Sequence, residues 1–181
     1  MIHSEHIRLR AVEPGDVDLL YSWENDSEIW HVSNTLAPYS RFQIEQFVMN
    51  AQQDLFASGQ LRLIIEMKGD KLPGESAGAI DLFDIDAVNR RAGIGILVSN
   101  AFRNKGIATE AVEAMILYMR DTLHLHQLYC HISEDNLQSI RIFEKLGFTR
   151  CGTRREWLIT TNGWKDEYMY QLILDSFTTR A

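Results

Sequence analysis

The chain predicts an α/β (or α+β) fold, one domain over residues 1–181, with a central sheet of six to seven strands and about four helices. Two observations carry this. Apolar residues make up 45% of the sequence, enough at this length for a proper core. Their spacing also switches repeatedly between the period of a helix and that of a strand.

In chain order, a strand falls near residues 6–10. A helix follows from Pro14 to about residue 25, and a second runs over 40–57 after Pro38-Tyr39-Ser40. Residues 60–68 alternate as a strand, 69–74 turn, 77–86 return, and 91–98 form a central strand. From 107 to 119, Ile107, Ala108, Ala111, Val112, Met115, Ile116 and Met119 recur as one apolar helical face, with Glu110, Glu113 and Arg120 on the wet side. A strand at 127–132 leads to a helix opened by Glu134-Asp135-Asn136, faced inward by Ile140, Phe143 and Leu146, and closed at Gly147. Strands at 148–159 and 165–174 are joined by Thr161-Asn162-Gly163, where Asn-Gly is a hairpin turn signal. Trp23, Trp30, Tyr21 and Tyr39 are expected to pack the first two helices together.

Several function classes are disfavoured. A net charge of −7 without clustered Lys and Arg speaks against nucleic acid; it suits cationic substrates, although solubility alone also accounts for it. No apolar run has the length of a membrane span, and residues 1–6 lack the basic start and apolar core of a signal peptide. Cys130 and Cys151 make neither a disulfide framework nor a zinc site, so free thiols and a cytoplasmic location are expected. His124, His126 and His131 match no zinc spacing and read as ordinary surface histidines, and Asp84-Ile85-Asp86 lacks the glycine and closing glutamate of a calcium loop.

The most informative segment is Arg103-Asn104-Lys105-Gly106-Ile107-Ala108-Thr109, which connects the central strand to the amphipathic helix. A strand, a short glycine loop and a helix leave the helix's first N–H groups without internal partners, and anions bind there. Gly106 allows close backbone approach, while Arg103 and Lys105 add charge at the rim. The alternative is a plain loop into a core helix. Neither a Walker loop nor a dinucleotide fingerprint is present, since Gly93-Ile94-Gly95 lies inside the strand itself.

Taken with Asn136-Leu137-Gln138-Ser139 and Leu146-Gly147-Phe148 downstream, Arg103, Gly106 and Ala108 resemble the two signature segments of the GCN5-related N-acetyltransferase superfamily. Ile7-Arg8-Leu9-Arg10, Pro38-Tyr39-Ser40, Asn89-Arg90-Arg91 and Asn162-Gly163-Trp164 are similar to the subgroup of ribosomal-protein N-terminal and spermidine N-acetyltransferases. The resemblance implies a mixed, mostly antiparallel sheet with splayed central strands. It also implies transfer of acetyl from acetyl-coenzyme A to a primary amine, either a polyamine or other small amine or a protein N-terminus, by direct attack in a ternary complex. Homodimers are frequent in the subgroup, yet no apolar stripe here is clearly surplus to the core.

By the same resemblance, cofactor contacts would come from Leu97 and Val98 on the splayed strand and from Arg103, Asn104, Lys105, Gly106, Ile107, Ala108 and Thr109 on the loop. Asn136, Ser139, Phe143 and Lys145 on the second helix complete the set. The family's proton-donating tyrosine falls at Phe143 and a common glutamate base at Gly93. The reaction needs a base, because deprotonating an amine of pKa ~10.4 costs roughly 4 to 5 kcal/mol at pH 7. It also needs a donor for the developing oxyanion, most simply the Val98 N–H. Asp81 and Glu156 match acidic positions of the subgroup and are the candidate bases ahead of Asp84, or else solvated strand carboxylates; Ser139 bonds either the leaving sulfur or its own helix backbone. Gly93 and Gly95 mark either a close backbone approach or room for a bulky neighbour such as Phe83 or Trp157. The loss of two familiar groups at Phe143 and Gly93 also fits a module that binds acyl-coenzyme A without catalysis.

Overall fold

The structure is a computed structural model and describes residues 1–26, 37–51, 54–69, 74–160 and 162–174. Its frame is one eight-stranded sheet in the order β1-β2-β3-β4-β5-β6-β8-β7. The strands are β1 (Ile2–His3), β2 (Ile7–Ala11), β3 (Leu61–Met67), β4 (Ser76–Asp86), β5 (Arg91–Val98), β6 (Gln127–Ser133), β7 (Thr149–Thr160) and β8 (Gly163–Ile173). The described helices are α1 (Val17–Glu24), α2 (Arg41–Asn50), α3 (Leu55–Ser58), α4 (Ile107–Asp121) and α5 (Leu137–Lys145). All neighbouring strands run antiparallel except β5 and β6, which α4 connects as a parallel crossover.

Alternation along the strands sorts side chains onto two faces. Leu63, Ile80, Leu82, Ala92, Ile94, Leu128 and Cys130 enter the large core under α4 and α5, with Ala111, Val112, Met115 and Met119 opposite. Ile64 faces the other way and joins Leu20, Ile44 and Val48 beneath α1 and α2. On that second face Glu66 is fully buried, bonded by Arg8 and by Arg10 Nε at 2.6 Å. Arg10 reaches on with both terminal nitrogens to Asp16, at 2.7 Å each. Arg8 and Arg10 of the N-terminal motif therefore knit β2 to β3 and to the turn before α1.

Four expectations are corrected. The sheet gains a strand, β1, whose two residues are too few to show a period. The helix expected over 40–57 breaks into α2 and α3, because Asp54 accepts from the Phe56 and Ala57 N–H groups and caps a new turn. Glu110, placed on the wet side of its helix, instead accepts from the His6 N–H at 2.7 Å and the Ile7 N–H at 3.3 Å, tying α4 to the start of β2. Apolar surface is also surplus to the core: Trp157, Ile159 and Trp164 stand more than half exposed on the β7–β8 hairpin.

Of the aromatic group, Trp23 packs against the second core, whereas Tyr21 and Tyr39 are exposed and Trp30 lies outside the described residues. Besides that core and the Arg41–Asp18 ion pair, Asn25 after α1 exchanges two hydrogen bonds with the Tyr39 backbone before α2. Residue 161 of the hairpin turn and 70–73 of the turn expected over 69–74 also lie outside the described residues. Among the described residues, no helix is long and apolar enough to cross a membrane.

Candidate active site

β5 and β6 pair only from Arg91, Ala92 and Gly93 to Gln127, Leu128 and Tyr129. Beyond that point β5 stays with β4 as far as Val98 while β6 stays with β8 as far as Ser133, so the two central strands diverge. The notch between them opens toward the loop that precedes α4. Leu97 turns its carbonyl onto Gly78 of β4, so closely that a Cβ at residue 78 would lie 2.1 Å from it. The Val98 carbonyl accepts from Arg103 Nε at 3.1 Å.

The loop has the shape its residue types require. Asn104 and Gly106 take positive φ values of 61° and 79°, and Gly106 is the N-cap of α4 with no side chain capping the helix. Nothing lies within 4 Å of where a Cβ at residue 106 would stand, and the first backbone N–H groups of α4 have no intrahelical partner. Arg103, Asn104 and Lys105 are exposed around them, Lys105 over the Phe102 ring at 5.2 Å; Ala108 and Thr109 are half-buried, and Ile107 is in the core. A phosphate chain fits this rim: it meets a helix's positive end, two cations and no obstructing side chain.

The second motif closes on the first. Gln138 in the first turn of α5 donates to Asn104 Oδ1 at 3.2 Å, and the Asn136 side chain caps the helix by accepting from the Ser139 N–H at 3.1 Å. Ser139 is half-buried and Lys145 exposed in the last turn of α5. Phe143 is 3% exposed and meets Phe148 edge-on at 4.9 Å, so the family's tyrosine position is here filled by core packing.

On the opposite face of the sheet, Phe83 lies over Gly93, where an added Cβ would come within 2.2 Å of its ring. At Gly93 this decides between the two readings in favour of room for a bulky neighbour, and that neighbour is Phe83; at Gly95 the same ring would be in ordinary contact, 3.7 Å from a Cβ. The ring continues edge-on to Tyr129 at 6.0 Å, and Tyr129 to His131 at 5.6 Å, forming an aromatic row along the notch. Asp81 beside it is held by Arg62, Nε to Oδ1 at 2.6 Å and Nη2 to Oδ2 at 2.9 Å, and Arg62 also bonds Glu24. Two adjoining depressions of about 310 and 230 Å³ lie over this face between Phe47, Gln60, Leu61, Arg62 and Phe83.

Asp84 and Glu156 both have positive φ, at 49° and 48°, and both are exposed at strand irregularities. The Tyr129 hydroxyl donates to Asp84 at 3.2 Å; burial and that carboxylate push the phenol above its ordinary range. Glu156 sits where β7 bulges, its N–H donating to Asp166 at 2.9 Å. The structure thus separates Asp81, under α1 and α2, from Glu156, on the hairpin, and sets Ser139 beside the loop.

Sequence reasoning missed Arg62, Tyr129 and the Arg154–Glu167 pair, where Arg154 Nη1 donates to Glu167 at 2.9 Å; it read Phe83 only as a neighbour of the strand glycines and His131 only as a surface histidine. Strand alternation assigns each a face, but only the register of five strands brings them together. His131 is half-buried rather than a surface residue, and among the described residues no group of three metal-ligating side chains stands together.

Comparison with known proteins agrees with this geometry. The acetyltransferase (GNAT) domain family matches residues 6–149. The spermidine N(1)-acetyltransferase of Escherichia coli K12 is 27% identical over 152 residues, covering 82% of this chain and 76% of that protein. An N-acetyltransferase of Bacillus licheniformis, p20, itself uncharacterised, is 28% identical over 173 residues, 95% of each chain. Among solved structures, spermidine N-acetyltransferase of Vibrio cholerae, in complex with coenzyme A and spermine, superposes with a TM-score of 0.83 at 21% identity, covering 94% of this chain and 96% of that one. A notch between splayed central strands, a glycine-capped helix at its mouth, and a family match over most of the length converge: the chain belongs to the acetyltransferase (GNAT) domain family.

Proposed function

We propose that residues 1–181 work as one domain that moves the acetyl group of acetyl-coenzyme A to a primary amine by direct attack in a ternary complex. The observation that carries this is the β5–β6 notch leading to the open N-terminus of α4. The pyrophosphate would rest on residues 103–109, and the pantetheine arm would run into the notch past Val98. Asn136 and Ser139 would meet the arm or the leaving sulfur; Ser139 supports this because, among the described residues, its hydroxyl makes no hydrogen bond to its own helix. A Val98 N–H aimed at the developing oxyanion would supply the electrostatic part of catalysis.

The acceptor would approach from the face of Phe83 and Asp81. Arg62 is shared by Asp81 and Glu24, so these three side chains carry one net negative charge, while Glu167 is balanced by Arg154; this favours an amine with one positive charge, a small monoamine or a protein N-terminus. A polyamine is the second reading, supported by exposed Asp84 and Glu156 and by the spermine bound in the Vibrio cholerae relative. For Asp81 and Glu156 we propose attraction of the ammonium by charge, a task Asp81 can perform while bound to Arg62.

The test is coenzyme A thiol release from acetyl-coenzyme A across a panel of monoamines, polyamines and peptides with free N-termini. Turnover on monoamines or peptides with little on polyamines is expected. Turnover on polyamines alone would establish the second reading, and none at all with acetyl-coenzyme A bound would overturn the proposal.

A further inference from the structure

We infer that His131 takes the proton from the acceptor amine, positioned by Glu167 of β8. This rests on the amine-acetyltransferase reading above. Tyr129 is the last β6 residue paired to β5, and His131 follows on the same face, two residues or about 7 Å further into the notch. The family's glutamate position cannot serve, because it is Gly93 and the Phe83 ring fills the space above it. His131 ends the aromatic row that this ring begins, one place past Tyr129, whose phenol is raised above its ordinary pKa and donates to Asp84.

The two ring nitrogens have different surroundings. Nδ1 is shut off from solvent without a hydrogen bond, and the nearest carboxylate is Glu167 Oε2 at 3.7 Å. Nε2 is not buried and has no protein partner among the described residues. With Nδ1–H facing Glu167, the lone pair lies on Nε2, and a contact of this length tightens when imidazolium forms. Glu167 is 5% exposed and fixed by Arg154, so the orienting charge is itself held.

The charged and titratable groups facing the ring are Glu167 on β8, Arg154 on β7, Asp84 on β4 and Tyr129 beside it on β6. Burial, and then Arg154, hold the imidazole below its ordinary pKa against the opposite pull of Glu167 and Asp84. The ring is therefore neutral and able to accept a proton at neutral pH.

The step balances as follows. Nε2 accepts one proton from the ammonium, giving imidazolium and a neutral amine whose lone pair forms the new C–N bond. The C–S bond breaks, its electron pair leaves on sulfur, and a second N–H proton passes to that sulfur. His131 then returns its proton to water.

The experiment compares His131→Asn, His131→Gln and Glu167→Gln with the unaltered protein, using an amine accepted in the panel, from pH 6 to 10, with coenzyme A affinity measured alongside. The His131 variants are expected to lose about 10²- to 10⁴-fold in kcat/KM at pH 7 with coenzyme A binding unchanged within twofold. That gap should narrow toward pH 10, where the amine deprotonates unaided. Glu167→Gln should shift the acidic limb of the profile. Activity of both His131 variants within threefold of the unaltered protein, or an equal loss at every pH, would overturn the role of His131 alone. An unaltered protein that binds acetyl-coenzyme A and acetylates nothing would overturn both readings.

Discussion

Phe83 and Gly93 face each other across the β4–β5 ladder so closely that a side chain at 93 and the ring at 83 cannot share the space. Gly93→Ala is therefore expected to destabilise the fold by about 1–3 kcal/mol, the usual cost of overpacking. Phe83→Ala should absorb most of that cost in the double variant. A double-mutant cycle by urea unfolding measures this, and strict additivity would show that the ring swings aside freely.

Gly106 has open space around it and a φ of 79°, so its substitution is strained by backbone alone. Gly106→Val should cost about 1–2 kcal/mol of stability and weaken coenzyme A binding by at least about tenfold, because the branched side chain covers the helix N–H groups. Calorimetric titration with coenzyme A checks it; unchanged affinity would remove the loop from the cofactor site.

Glu66 joins Arg8, Arg10 and the Gly74 N–H at a fully buried position. Glu66→Gln leaves two guanidinium groups without their shared counter-charge and should cost about 3–5 kcal/mol. Equilibrium unfolding gives the value, and a loss below 1 kcal/mol would mean that solvent replaces the carboxylate.

Acid should unfold the protein through the same network. Burial pushes the Glu66 carboxyl up, but Arg8, the Gly74 N–H and Arg10 outweigh it and hold it below its ordinary value; Asp16 is likewise lowered by Arg10 and the Glu13 N–H against burial. A carboxyl depressed in the folded state contributes stability that is complete above its unfolded pKa, near ~4, and disappears as pH falls through the folded value. Unfolding free energy is expected to be flat from pH 7 to about 5 and to fall steeply below ~4. Glu66→Gln should flatten that fall, and an unchanged slope would assign acid sensitivity elsewhere.

The two thiols should differ sharply in reactivity. Cys130 is buried, which pushes its thiol up to about 12, whereas Cys151 is exposed on β7. Ellman's reagent should titrate one thiol quickly in the folded protein and the second only on unfolding. Two fast thiols would show that β6 opens locally.

Most of the scaffold was legible in the residues because it depends on local chemistry. The stripe of α4, the Asn136 cap and the Gly106 loop are properties of short windows, and each formed where its spacing predicts. The break between α2 and α3 was readable too, since Asp54 is an ordinary cap, but the apolar residues around it hid the interruption. The candidate cofactor loop belongs to the same local class, as one contiguous segment from 103 to 109.

The sequence by itself determined the family, a glycine loop that is a candidate phosphate site, and the presence of Phe143 and Gly93 where the resemblance implies a tyrosine and a glutamate. Only the tertiary structure decided which charged neighbours stand beside Asp81 and His131. Asp81 appears as a lone acid until β3 aligns Arg62 opposite it, and His131 as a lone surface histidine until β8 and β7 bring Glu167 and Arg154 to its face. Alternation assigns a residue to a side of the sheet, but a strand's neighbours are chosen by the topology of the whole chain. The charge state of His131 depends on those neighbours, so it became readable only with the sheet assembled.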